Sequence, residues 1–306
     1  MGHSPSASPA VNLENSYRLC EQITRTRARN FYFSFLPLPR AKRRAMCAVY
    51  AFMRYCDDLA DDASVEDRPG QLAAWRSSLE RLDGGDTSAH PMMPAFYDTL
   101  QRYKIPFEYF HEVITGAEMD LTIHRYATFE DLYRYCYRVA SVVGLTCLKV
   151  YGYCDETALH LGERCGIAFQ LTNIIRDVRE DAAEGRVYIP QEDLDRFHCT
   201  EDQLSGESLC DSVRPLLEFQ AQRAQEYYEE SLPLVKLTDR DSQASLSAMI
   251  CIYHGLLRRI RSSNYDVFSQ RVSIPTGAKL AIAARCWLSP LPTVHKEVGC
   301  SPAARP

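Results

Sequence analysis

The chain contains no C-x-x-C pair, although it has 12 cysteines in 306 residues. That spacing excludes the usual zinc knuckles and ribbons. Cys47, Cys56, Cys136, Cys147, Cys165 and Cys251 fall inside apolar helical patterns and read as reduced, small core side chains. No apolar run approaches the roughly 18 residues of a membrane span. No period-two strand pattern, solenoid repeat or dinucleotide fingerprint is visible. Positive charge is not in excess: the net charge is −5 and the pI about 5.9, which excludes an electrostatic footprint for nucleic acid. Glycine is sparse, at 14 residues, and mostly separates periodic segments.

What is abundant is helical periodicity. Hydrophobic residues make up 46% and charged residues 25%, enough for a sizeable core. A helix is expected over 129–151, opened by a capping box at Thr128 with Asp131 in the usual Glu or Gln place, and ended by Gly152. Others are expected over 157–183, stopped by Gly185, and from just after Thr238–Asp241 to about Ser263. Further helices are placed near 13–29, 41–63, 71–82, 93–103, 107–122, 208–232 and 275–288, with Pro37, Pro39, Pro69, Pro106, Pro190 and Pro275 in the breaks. The expectation is an all-α, single-domain bundle over 13–288. Residues 1–12, rich in Ser, Pro and Ala and without the apolar core of a signal peptide, read as a disordered tail. The Pro-punctuated residues 289–306 read as a flexible one.

Two acid clusters stand out. Asp57, Asp58, Asp61 and Asp62 close a helix that opens with Lys42, Arg43 and Arg44, the reverse of what the helix dipole favours. Asn173, Asp177 and Asp181 repeat at four-residue spacing on a second helix, so they share one face. A single acid run is ordinarily a solvated face. Here each run extends an apolar stretch, Ala45–Phe52 and Ile167–Ile175, which should be buried. Two such faces suit Mg²⁺ shared among carboxylates, waters and substrate phosphates. Arg54, Arg176, Arg271 and Lys279 offer cations for a diphosphate. Phe31, Tyr32, Phe35, Tyr50, Phe52, Val139, Val143, Leu145, Phe169 and Leu171 offer an apolar wall, with about half of them expected to be ordinary core. Aromatic faces also stabilise a carbocation.

Four blocks, in order, resemble the squalene/phytoene synthase family of head-to-head prenyl synthases. They are Arg29–Pro39 (RNFYFSFLPLP), Ala48–Asp62 (AVYAFMRYCDDLADD), Tyr135–Gly144 (YCYRVASVVG), and Gly166–Asp181 (GIAFQLTNIIRDVRED) running on to Gly185–Pro190 (GRVYIP). The resemblance implies the isoprenoid synthase fold, a helical bundle around a central cavity. It implies that Asp57, Asp58 and Asp61 with Asn173, Asp177 and Asp181 hold Mg²⁺, or Mn²⁺ in its place. By the same resemblance Arg54 and Arg176 contact diphosphate, and Tyr135 handles a proton. Tyr253, Arg271 and Lys279 match C-terminal diphosphate-site positions, with one extra residue between Tyr265 and Arg271. The implied reaction joins two allylic prenyl diphosphates through a cyclopropylcarbinyl diphosphate.

Arg138 and Ser141 tilt the resemblance toward bacterial squalene-type members. The expected substrate is therefore farnesyl diphosphate, with NADPH needed if squalene is the product. Phytoene synthesis from two geranylgeranyl diphosphates is the runner-up. A non-catalytic prenyl-diphosphate-binding homologue, a terpene cyclase and a head-to-tail synthase rank below both. The expected setting is cytoplasmic, with peripheral membrane association for product release. The expected oligomeric state is a monomer or homodimer.

Overall fold

Helical sequence periodicity becomes helical backbone almost throughout. The computed structural model describes residues 9–61 and 66–289. Among them lie α1 (Pro9–Arg27), α2 (Arg29–Phe35), α3 (Arg40–Asp61), α4 (Arg68–Asp83), α5 (Met93–Tyr103), α6 (Phe107–Thr122), α7 (Phe129–Cys136), α8 (Val142–Tyr151) and α9 (Thr157–Ala183). They continue with α10 (Gln191–Arg196), α11 (Glu201–Leu204), α12 (Val213–Ser231), α13 (Leu234–Leu237), α14 (Gln243–Ser262) and α15 (Thr276–Leu288). No strand occurs among the described residues; the only β pairings are isolated bridges, Arg125 with Val187 and Tyr153 with Thr238. The all-α expectation is met.

The terminal segments differ from expectation where they can be seen. Helix α1 starts at Pro9, inside the stretch read as a tail, and residues 1–8 lie outside the described residues. Of the expected C-terminal tail only Ser289 is described.

Two predicted boundaries rest on visible chemistry. At Thr128 the capping box is complete: the Asp131 amide donates to Thr128 Oγ1 at 3.2 Å and the Thr128 amide to Asp131 Oδ2 at 3.2 Å. Gly152, at φ +75°, ends α8; a Cβ there would lie 2.1 Å from Asp239 Oδ2.

The expected helix over 129–151 is not uniform. Residues Tyr137–Ser141 form a π-helical turn between α7 and α8. Cavity-facing Tyr135, Val139, Val143, Cys147 and Tyr151 recur every fourth residue. On an α-helix, at about 100° per residue, a four-residue repeat drifts off its face by about 40° each step. The wider π turn takes up part of that drift and keeps the stripe on the cavity.

Helix α9 is the axis of the bundle, packed against α12, α8, α14 and the π turn. Glycine allows the closest backbone approach among these contacts: a Cβ on Gly166 would lie 2.5 Å from Ser141 Cα. One buried cluster runs from Tyr17 on α1 to Ile274, and Phe52, Phe96, Phe110 and Trp75 form an aromatic knot within it. All eleven described cysteines are free thiols.

Candidate active site

Helices α3, α6, α7–α8 and α9 surround a cavity of about 330 Å³. Their order along the chain sorts its walls. On α3 the lining passes from Met46 through Val49, Tyr50 and Met53 to Asp57 and Asp61. On α6 it passes from Val113 to Asp120, and on α9 from Gly162 through Phe169 to Asn173. The α7–α8 wall runs the other way, from Tyr135 to Tyr151. The polar residues therefore meet at one end, and the far end is closed by Leu148, Tyr151, Leu234 and Leu246.

The polar end joins the two acid clusters. Asp57 is exposed, but the surface it exposes lines the cavity. Its enclosed position, with Asp61 and Asp120 close by, pushes its carboxyl up to about 7. Burial and neighbouring Asp177 likewise push Asp181 up to about 7. Asp177 and Asp181 continue along α9 past Asn173 in steps of four. Arg186, just after α9, places Nη1 3.6 Å from Asp61 Oδ1 and so links the two clusters.

Most expected arginine roles take the form of ion pairs with the motifs. Arg176 makes a bidentate pair with Asp177, and Arg271 Nη2 lies 3.0 Å from Asp177 Oδ1. Arg54 pairs with Asp58, which Arg27 also approaches at 3.5 Å. Asp58 is thus held by arginines off the cavity lining, whereas Asp57 and Asp61 are on it. Lys279 is buried on α15 and, like Arg54, Arg176 and Arg271, is not among the residues that line the cavity. Asp62 lies outside the described residues.

Aromatic residues form one wall. The Phe169 and Tyr253 rings stack at 4.4 Å, and Phe31 lies 5.9 Å from Tyr253 and 6.0 Å from Tyr50. Val139 and Val143 also line the cavity. Of the other expected wall residues, Phe35 and Tyr50 line it, while Tyr32, Phe52, Leu145 and Leu171 do not. Phe52 is instead fully buried against Phe96 at 4.4 Å, because its side of α3 faces α5.

Tyr135 is 4% exposed and stacks on Tyr188 at 5.1 Å. Tyr188 donates to Asp120 Oδ1 at 2.9 Å. Burial, then the Asp120 charge, raises the Tyr135 phenol well above its ordinary value, so it is neutral at any working pH. Asp120, Tyr188 and Arg186 were not assigned roles from sequence. Tyr188 and Arg186 sat in a matched block, and Asp120 lacked a partner acid at helical spacing. Its one signal was the small pair Gly116–Ala117 a turn earlier, which opens that face of α6 to the cavity.

The donor set fits a divalent cation shared with phosphates. Asn173 Oδ1 is buried without a hydrogen-bond partner in the protein, and the Asp57 and Asp181 carboxylates are enclosed and crowded by neighbouring acids. Among the described residues no three acid, His or Cys groups converge into a ready-made metal site.

Residues 24–278 match the squalene/phytoene synthase family. A 15-cis-phytoene synthase of Synechocystis sp. is 36% identical over 298 residues, covering 93% of this chain and 88% of that protein. A phytoene synthase of Mycobacterium tuberculosis is 38% identical over 300 residues, covering 97% and 96%. The fold matches a crystal structure of a dehydrosqualene synthase in complex with ligand, with TM-score 0.84 and 28% identity over 91% of this chain and 97% of that one. The chain belongs to the squalene/phytoene synthase family, whose members are prenyltransferases.

Proposed function

We propose that the chain condenses two geranylgeranyl diphosphates, head to head, to phytoene. The observation that carries this choice over farnesyl diphosphate is the similarity of nearly the whole chain to proteins named phytoene synthase. It displaces the thirty-carbon preference drawn from Arg138 and Ser141. In the structure those two side chains serve packing: Arg138 pairs with Glu112 at 2.8 Å, and Ser141 caps the Glu163 carbonyl at 2.9 Å. NADPH has no role in this reading, because phytoene forms by proton loss rather than reduction. The fold match to a dehydrosqualene synthase keeps thirty-carbon condensation as the second reading.

Asp57, Asp61, Asn173, Asp177 and Asp181 would hold Mg²⁺, which supplies Lewis-acid neutralisation of the leaving diphosphate. Arg176, Arg186 and Arg271 add fixed positive charge at the same end and orient the diphosphates. The allylic C–O bond breaks with its electrons leaving on diphosphate. The double bond of the second substrate attacks the resulting cation, and loss of a proton closes the cyclopropane. The rings of Phe31, Phe169 and Tyr253 would face the cationic carbons and exclude water that would quench them. Because Tyr135 is neutral, it acts as a relay: its hydroxyl takes the proton as it passes its own toward Asp120. A second ionisation, rearrangement and proton loss give the linear product.

The apolar product also gives reason for membrane contact. No helix among the described residues is long and apolar enough to cross a membrane. Trp287 and Leu288, 71% and 82% exposed at the end of α15, are the residues we would expect to touch a bilayer surface. Incubation with each prenyl diphosphate, with and without NADPH, followed by mass analysis of the lipid extract, tests the whole reading. A thirty-carbon product would overturn the substrate choice.

A further inference from the structure

Away from the cavity, α14 and α15 enclose a recess of about 580 Å³ lined by Cys251, Arg258, Arg259, Arg261 and Arg285. Cys251 is half-buried and faces this recess; Cys286 is 2% exposed and lies behind it. Cys286 Sγ donates to Cys251 Sγ at 3.9 Å, and Arg285 Nη2 donates to the same sulfur at 4.0 Å. Small residues make that closeness available: Ala248 and Ala283 pack beside the two thiols. The Cys286 hydrogen bond, helped by the Arg285 and Arg258 charges, holds the Cys251 thiol down at about 7. Most other described thiols go the opposite way. Burial raises Cys20 to about 12, Cys47 to about 11, and Cys147 and Cys165 to about 12. Cys210 is also lowered, but its side-chain hydrogen bond is to Ser212, and Cys199, the thiol near it, bonds the Ser212 carbonyl instead.

We propose that Cys251 and Cys286 are a peroxide-reactive pair that closes to a disulfide and staples α15 to α14. The recess admits a molecule the size of hydrogen peroxide to Cys251 but not to Cys286. The Cys251 thiolate attacks one peroxide oxygen. The O–O bond breaks, hydroxide leaves and takes up a proton, and the sulfur becomes sulfenic acid. Cys286 then attacks that sulfur, its proton leaving with the sulfenic oxygen as water. In sum two thiols lose two hydrogens and one peroxide becomes two waters. The staple fixes α15 on the same helix that carries Tyr253 into the active-site wall.

The test treats the full chain with equimolar hydrogen peroxide, alkylates the remaining thiols and maps tryptic peptides. Peptides 241–258 and 286–296 each carry one cysteine. They should appear joined, two hydrogens lighter than their sum, before Cys20, Cys47, Cys147 or Cys165 loses its thiol. In Cys286→Ser, Cys251 should accumulate as a sulfenic acid trapped by dimedone. In Cys251→Ser, Cys286 should stay reduced. A first disulfide elsewhere, oxidation of Cys251 to sulfinic acid without cross-linking in the parent chain, or equal oxidation of Cys286 in Cys251→Ser would each overturn the proposal.

Discussion

The hydroxyl of Tyr135 lies 3.4 Å from the hydroxyl of Tyr188, and among the described residues no hydrogen bond joins it to an aspartate of either motif. Tyr188 is itself anchored on Asp120, and Asp120 also feels the Tyr135 hydroxyl, so in the proposed relay both phenols face one carboxylate. Tyr135→Phe keeps the ring stack and removes the relay, so kcat should fall by about 10²-fold or more with KM little changed. Tyr188→Phe and Asp120→Asn should each lower kcat in the same sense. If Asp120→Asn leaves kcat unchanged, the released diphosphate is the base and the relay is absent.

Asp57 should make stability depend on pH in an unusual direction. Its carboxyl sits near 7 in the folded chain against an ordinary 3.8. Between those values the folded chain keeps a proton that the unfolded chain has released, so stability falls as pH rises through the window. His254 works oppositely: burial lowers it from 6.5 to about 4, so its contribution grows as pH rises over that range. The quantity to measure is therefore the difference in unfolding free energy between the parent chain and Asp57→Asn, without metal. It should decline for the parent from about pH 4 to pH 7 and then level off. A flat difference would mean that Asp57 is hydrated and ionised throughout.

The contact at Gly166 leaves no room for a side chain. A Cβ there meets Ser141 Cα at 2.5 Å and Ala140 O at 2.8 Å, all backbone atoms. Gly166→Ala must push α9 away from the π turn, so a cost of about 1–3 kcal/mol in stability is expected from overpacking. Activity should fall further than stability alone explains, because Asn173 and Val139 sit on the two separated elements. Chemical denaturation together with kcat at a permissive temperature checks both parts.

Substrate length should be read at the closed end. Leu148 and Tyr151 line it, and Tyr151 is fixed by a 3.0 Å hydrogen bond to Ser245. One isoprene unit carries about 4 kcal/mol of burial at roughly 0.8 kcal/mol per CH₂-sized group. Leu148→Phe should therefore shift the kcat/KM ratio from geranylgeranyl toward farnesyl diphosphate by at least about tenfold. Phe31→Ala, on the side wall, should move it less. An unchanged ratio in Leu148→Phe would place the floor elsewhere.

The fold was legible because long amphipathic helices announce themselves. The ends of α9 and α8 could be placed from Gly185 and Gly152 alone. Helices α10, α11 and α13, of 6, 4 and 4 residues, were missed because two turns or fewer show no measurable period. Helix α2 was hidden for the same reason behind Pro37 and Pro39. The acid clusters were legible as chemistry because acids at the C-terminal end of buried helices are locally unfavourable. Asp120 was not, because its partners Tyr188 and Tyr135 come from elements 68 and 15 residues away.

The π turn at Tyr137–Ser141 makes cavity shape depend on where along this wall the residue count changes. Such a turn holds one residue more than α-geometry requires. Removing Ala140 would let the segment relax to a plain α-helix with Tyr135 before it and Val143, Cys147 and Tyr151 after it keeping their relative orientation, at the loss of the Ala140 surface from the lining. A deletion within α8 has no spare residue to absorb it and would turn everything after it by about 100°. The position of a one-residue deletion, inside the turn or beyond it, thus decides whether this wall survives.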